Sequence, residues 1–191
     1  MLGEPAPVAL PSGTNVLGPR FASAAGGPIV LSWMQRGESG ATLRYSKLEL
    51  GEWQPAADVV TDPKMFVNWA DLPSVTPLNA THWLAHWLSK SADATYAYDI
   101  LLAQSSDSGQ TWSAPSRPHS DGTPTEHGFV SIYAHGDSAA LLWLDGRKTS
   151  NEATDDPRRT SMTLRSALVD LRGVVSNKQR VDAMVCDCCQ T

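Results

Sequence analysis

The strongest constraint in this 191-residue chain is an internal repeat of about sixty residues. Thr42-Leu43-Arg44 returns as Thr163-Leu164-Arg165, 121 positions later, which is two periods. Between them Trp112 follows Trp53 by 59 residues, and Trp53-Gln-Pro is echoed by Trp112-Ser-Ala-Pro. Three further segments, Ile29–Trp33, Trp83–Trp87 and Ala139–Trp143, end in Trp at spacings of 54 and 56. A unit of this size cannot bury both its faces alone, so the fold must stack one supersecondary unit against the next.

Each unit reads as four short strands. An inner strand comes first (Phe21–Ala24, Ser74–Pro77, Phe129–Tyr133), followed by the strand that ends in Trp. A third strand follows (Leu43–Leu48, Ala97–Gln104, Met162–Leu168), then a short outer one. Several of these runs are apolar throughout, as expected of strands buried on both faces. Fourteen Gly and thirteen Pro punctuate the chain, and no long segment keeps helical spacing. The expected fold is all-β with about twelve strands, in four-stranded units of the kind that form β-propeller blades. The expected blades are 15–62, 63–122 and 123–185, with 186–191 opening a further one. A closed ring takes roughly four to eight blades. The sequence therefore reads as about half of a longer protein, or as one of two associating copies.

Composition removes several functions. Hydrophobic residues make up 41% and charged residues 18%, which opposes disorder. A net charge of −5 leaves no basic footprint for nucleic acid. No run approaches the ~18 apolar residues of a membrane-spanning helix. The opening Met1-Leu-Gly-Glu-Pro-Ala-Pro lacks the basic and apolar regions of a signal peptide.

One motif is specific. Ser105-Ser-Asp107-Ser-Gly109-Gln-Thr111-Trp112 has the form Ser-x-Asp-x-Gly-x-Thr-Trp. Asp107 can accept from turn amides, Gly109 can take a positive φ, and Ser105 and Thr111 can complete the side-chain network. Trp112 supplies a large anchor between sheets. Ser46 to Trp53 is a degenerate copy without the Asp, and the third unit has lost both the box and its Trp.

This spacing resembles the Asp-box of the sialidase (bacterial neuraminidase repeat) superfamily, in which the box is structural and lies away from the active site. Further stretches are similar to a bacterial sialidase-like subgroup: Val67-Asn-Trp-Ala-Asp-Leu-Pro-Ser74, Asp121-Gly-Thr-Pro-Thr-Glu-His-Gly-Phe129, Leu142-Trp-Leu-Asp-Gly-Arg147 and Val185-Cys-Asp-Cys-Cys-Gln-Thr191. The resemblance implies a sialidase-type propeller, six-bladed when complete, and export to the periplasm or beyond. It also implies an exo-glycosidase acting on sialic acid or a related acidic glycan, with no cofactor. Such enzymes clamp the sugar carboxylate with arginines, use an Asp as acid/base, and pair a Tyr with a Glu as nucleophile. Bidentate guanidinium suits the carboxylate, and a tyrosine avoids the repulsion a carboxylate nucleophile would meet.

The repeat places Gly18-Pro-Arg20, Asn68-Trp69-Ala-Asp71 and Glu126-His127 at equivalent entrances to the inner strands. Arg20 is the candidate carboxylate-binding arginine, although the Arg-Ile-Pro pattern of the family is not matched. Asp71 and Glu126 are the candidate catalytic carboxylates, with Asn68, Trp69, Asp121, His127 and Arg147 as candidate substrate-binding residues. Local readings compete: Arg20 as a surface residue, Asp71 as a turn cap before Pro73, and Asp121-Gly122 and Asp145-Gly146 as turn formers. Adjacent Glu126 and His127 point to opposite faces unless a bulge intervenes. No Tyr–Glu pair is expected within these residues, because Tyr45, Tyr96, Tyr98 and Tyr133 read as strand positions.

No metal site is expected at the histidines. His82 and His86 share a strand face but lie some 13 Å apart by strand rise. The cluster Cys186, Cys188 and Cys189 stays open between a disulfide, plain thiols and a soft-metal site, although one segment offers few well-directed ligands. Two functions compete. The first is a sialidase-like hydrolase, for which three blades alone are expected to be inactive. The second is a non-catalytic propeller binding a glycan, another small acidic ligand or a protein. Either would be completed by the remaining blades or by a second copy.

Overall fold

The computed structural model describes residues 13–24, 27–149 and 161–186. Those residues form twelve β-strands in three antiparallel sheets, and no helix occurs among them. The first sheet holds β1 (Val16–Ser23), β2 (Ile29–Gly37), β3 (Gly40–Glu49), β4 (Glu52–Trp53) and β5 (Ala57–Asp62). The second holds β6 (Ser74–Pro77), β7 (Trp83–Lys90) and β8 (Tyr98–Ser105). The third holds β9 (His127–His135), β10 (Ser138–Asp145), β11 (Met162–Asp170) and β12 (Val175–Val185). The all-β expectation holds: three successive meanders correspond to the three repeat units. No helix among the described residues is long and apolar enough to cross a membrane.

The outer strands depart from a uniform count of four. In the first sheet Pro55 interrupts the outer strand, so β3 pairs with β4 near one end and with β5 near the other. In the second sheet the outer strand shrinks to one bridge between Leu102 and Ser116. Pro115 and Pro118 flank that bridge and lack the N–H that a continued ladder needs. Two inner strands begin earlier than the sequence suggested. Gly18-Pro19 ends no strand; it sits in a register shift of β1, with Gly18 at φ +62°.

The apolar period of two partitions the core. Along β7, Trp83, Ala85 and Trp87 face a cluster built with Val30, Met34, Leu43 and Tyr45 of the first sheet. Leu84 and Leu88 face the opposite cluster, with Leu141, Trp143 and Val169 of the third sheet. The second sheet is thus buried on both faces, which explains its near-continuous apolar strands. Trp33, Trp83, Trp87 and Trp143, the repeated strand tryptophans, are among the largest fully buried side chains.

The turn after β8 has the hydrogen bonding its sequence suggests. Ser105 Oγ donates to Asp107 Oδ1 at 2.7 Å, and the Gly109 amide donates to Ser105 Oγ at 2.8 Å. The Thr111 amide and hydroxyl donate to Asp107 at 2.9 and 2.6 Å. These bonds, those of the Thr111 hydroxyl first, lower the Asp107 pKa to about 2. Gly109 adopts φ +88°, and a Cβ there would meet the Tyr45 hydroxyl at 2.4 Å. Tyr45 donates to the Gly109 carbonyl at 2.7 Å and packs edge-on against Trp83 and Trp112. The turn therefore fastens the second sheet to the first.

Candidate functional site

The inner strands β1, β6 and β9 border two adjoining clefts. One of about 370 Å³ is lined by Arg20, Phe21, Ala70, Leu72 and Phe129, and the other, of about 200 Å³, by Arg20, Ser74, Thr76 and Tyr133. Arg20 belongs to both, and its Nη1 donates to the Leu72 carbonyl at 3.2 Å. Three residues around these clefts carry exposed rings: Phe21 at 67%, Trp69 at 88% and Tyr133 at 52%. Trp69 adjoins the lining residue Ala70. Asn68 shapes that loop locally, its Oδ1 accepting from the Ala70 amide at 3.0 Å.

Asp71 lies beneath this floor and is 1% exposed. Its hydrogen bonds run to distant residues rather than to its own turn. The Phe129 amide donates to Oδ1 at 2.8 Å, and the Tyr98 hydroxyl lies 3.3 Å from Oδ2. The same hydroxyl donates to Glu126 Oε1 at 2.6 Å. Two oxygens on one hydroxyl are at most about 6 Å apart, so the two predicted catalytic carboxylates are brought together. Burial raises Asp71 to about 7; the Phe129 and Tyr98 bonds and Arg20 pull downward, and Glu126 pushes it up. Burial, followed by the negative charge of Asp71 and the bond to Glu126, raises Tyr98 far above an ordinary phenol.

Tyr98 and Gly128 are what the sequence reading missed. The Tyr–Glu pair was not expected in this stretch, yet Tyr98 contacts Glu126 directly. No signal in the sequence marked it: the Tyr98 amide comes beside the loop that carries Glu126 only through the fold, donating to the Thr125 carbonyl. Gly128 has no room for a side chain: a Cβ would lie 1.9 Å from Asp71 Oδ2 and 2.9 Å from the Tyr98 ring. Beside it β9 bulges. Gly128 pairs with Leu144 and Ser131 with Leu142, which leaves an extra residue, and Phe129 takes φ 52°.

Asp121, His127 and Arg147 come together elsewhere, in a buried network behind β9. His127 Nδ1 lies 3.1 Å from the Thr125 carbonyl and its Nε2 lies 3.2 Å from Asp121 Oδ1. Glu126 and His127 thus point to opposite sides. Arg147 grips Asp145 through Nε at 2.6 Å and Nη2 at 2.7 Å, and its Nη2 also lies 3.1 Å from Asp121. Burial works upward on Asp121, but the Thr123 hydroxyl and the facing His127 and Arg147 hold it low. Asp145 is likewise pushed up by burial and held low by Arg147 and Trp143. His119 stacks on His127 at 4.0 Å, and burial lowers it to about 4.

Two groups here have metal-ligand spacing: Asp99, His119 and His127, and Asp121, His127 and Asp145. Neither is an open set of ligands, although Asp121 Oδ2 is buried without a hydrogen-bond partner. The two imidazoles are parallel within 2°, so their in-plane lone pairs do not converge. Asp145 Oδ2 already accepts from Trp143 Nε1 at 2.9 Å and from Arg147. Arg147 already neutralises this network, and Arg165 Nε lies 3.6 Å from Asp145 Oδ1. Cys186 is exposed, while Cys188 and Cys189 lie outside the described residues.

No protein-family model and no curated protein matches the chain. Among solved structures it is similar to a protein from Parabacteroides distasonis described as a "putative glycoside hydrolase". The identity is 15% and the TM-score 0.48, over 90% of this chain and 55% of that one. The chain thus spans about half of that protein, at a similarity too low to carry an assignment.

Proposed function

We propose that the Arg20 cleft is the sugar site of a sialidase-like glycoside hydrolase, a β-propeller completed by further blades or a second copy. The observation that carries this reading is the meeting of Asp71 and Glu126 on the Tyr98 hydroxyl, beside Arg20. Glycosidases need one carboxyl kept protonated and a second kept ionised a few ångströms away. Burial supplies the first at Asp71, and the bond from Tyr98 favours the second at Glu126. Arg20 offers a guanidinium to an anionic sugar, sialic acid or a related acidic glycan, and Trp69 offers a ring face. Asp121, His127 and Arg147 hold β9 and its bulge in place from behind.

A second reading is a glycan-binding propeller without chemistry. It is favoured by the depth of Asp71 and of Tyr98, which is 0% exposed, below a rim of exposed aromatic rings. A fluorogenic sialoside separates the two. Turnover by the full-length protein that falls at least about a hundredfold in Asp71→Asn and in Glu126→Gln supports the hydrolase. Absence of turnover with retained binding of sialic acid supports the binding propeller.

A further inference from the structure

We propose that Tyr98 is a proton relay that recharges buried Asp71 from the partly buried Glu126, an inference that rests on reading Asp71 as the acid of the site. The geometry is a three-member chain: Asp71 Oδ2, the Tyr98 hydroxyl 3.3 Å away, and Glu126 Oε1 at 2.6 Å from that hydroxyl. A phenol has one proton and cannot donate to both carboxylates at once. The shorter distance assigns it to Glu126 in the resting state. The phenol oxygen then faces Asp71 Oδ2 as an acceptor, which a protonated Asp71 satisfies by donating.

The direction of the chain follows from burial. Asp71 is 1% exposed and reaches solvent poorly, whereas Glu126 is only partly buried. Arg20 faces Asp71 from β1, Tyr98 from β8, and the Phe129 amide from β9. Once Asp71 has released its proton, Glu126 takes one from solvent and passes it to the Tyr98 oxygen. Tyr98 gives its own proton to Asp71 in the same exchange. The phenol is neutral before and after, and one proton has moved from solvent to Asp71. Burial, the negative charge of Asp71 and the bond to Glu126 keep Tyr98 from ionising, which a relay requires.

Infrared difference spectroscopy on ring-labelled tyrosine tests this without substrate, so its failure is separate from failure of the hydrolase reading. The phenol C–O band distinguishes a hydroxyl that only donates from one that also accepts. Among four tyrosines, the Tyr98 band is the one lost in Tyr98→Phe. The relay predicts that this band shifts as pH falls through about 7, and that Asp71→Asn abolishes the shift. A Tyr98 band that keeps its donor-only position well below and well above that pH in the folded wild-type chain overturns the relay. The carboxylic acid band of Asp71, assigned by its loss in Asp71→Asn, gives the second readout. Its return after a downward pH jump must slow in Tyr98→Phe and in Glu126→Gln, and an unchanged rate in both overturns the relay equally.

Discussion

The main-chain N–H of Phe129 donates to Asp71 Oδ1 at 2.8 Å from a backbone held at φ 52°. The bulge in β9 makes this possible, because an extra residue frees one amide from the ladder and turns it toward the loop before β6. A left-handed conformation at a bulky residue costs of order 1–3 kcal/mol, and it persists where surrounding contacts enforce it. Here the Asp71 carboxylate accepts from the Phe129 amide, and the preceding Gly128 is closed in by Asp71 and the Tyr98 ring.

Gly128→Ala is expected to destabilise the chain by about 3 kcal/mol, since its methyl overlaps Asp71 and the Tyr98 ring. Chemical denaturation measures the loss. A cost below about 0.5 kcal/mol would mean that Asp71 is free to move aside.

Asp71 gives stability a pH dependence of definite sign. Between about pH 4 and pH 7 the folded chain keeps a proton on Asp71 that the unfolded chain has released. Stability contributed by this proton is complete below pH 4, is lost as pH rises to about 7, and is flat above. Three units correspond to roughly 4 kcal/mol. The difference between wild type and Asp71→Asn across that window isolates the effect from other carboxylates. A pH-independent difference would show that Asp71 ionises as freely as an exposed carboxylate.

Asp145→Asn is expected to cost about 3 kcal/mol, because it leaves the Arg147 guanidinium without its bidentate partner in a buried network. Thermal melts of the two single variants and of Asp145→Asn combined with Arg147→Met measure it. The double variant should recover part of the loss. A double-variant loss equal to the sum of the two single losses would mean that the pair is not coupled.

Tyr45→Phe should cost about 1–3 kcal/mol by leaving the buried Gly109 carbonyl unpaired. Asp107→Asn should lower Tm by removing an acceptor from the same turn. Neither change should alter ligand binding at the Arg20 cleft, which lies along the inner strands. Loss of binding in either would tie the turn to the site.

Much of this was legible because repeats report themselves. The tryptophans at 33, 87 and 143 located the second strand of every sheet, and Ser105 to Trp112 specified its own turn. The candidate carboxylates could be named from their place at the inner-strand entrances. Tyr98 could not, since a tyrosine opening an apolar strand looks like any core aromatic until the facing loop is known. The bulge at Phe129 was hidden for a related reason. A positive φ at a non-glycine residue is imposed by tertiary contacts, here the Asp71 carboxylate, that no local pattern announces. The split outer strand and the single bridge at Ser116 were foreshadowed by Pro55, Pro115 and Pro118, but their effect depended on which amide faced the ladder.

The most direct test of the cleft is calorimetric titration with N-acetylneuraminic acid and with a neutral N-acetylhexosamine, in wild type and in Arg20→Met. An arginine-clamped acidic-sugar site predicts binding of the acid but not of the neutral sugar, with a loss of at least tenfold, about 1.4 kcal/mol, in the variant. Equal affinity for both sugars, or an acid affinity unchanged by Arg20→Met, would contradict it.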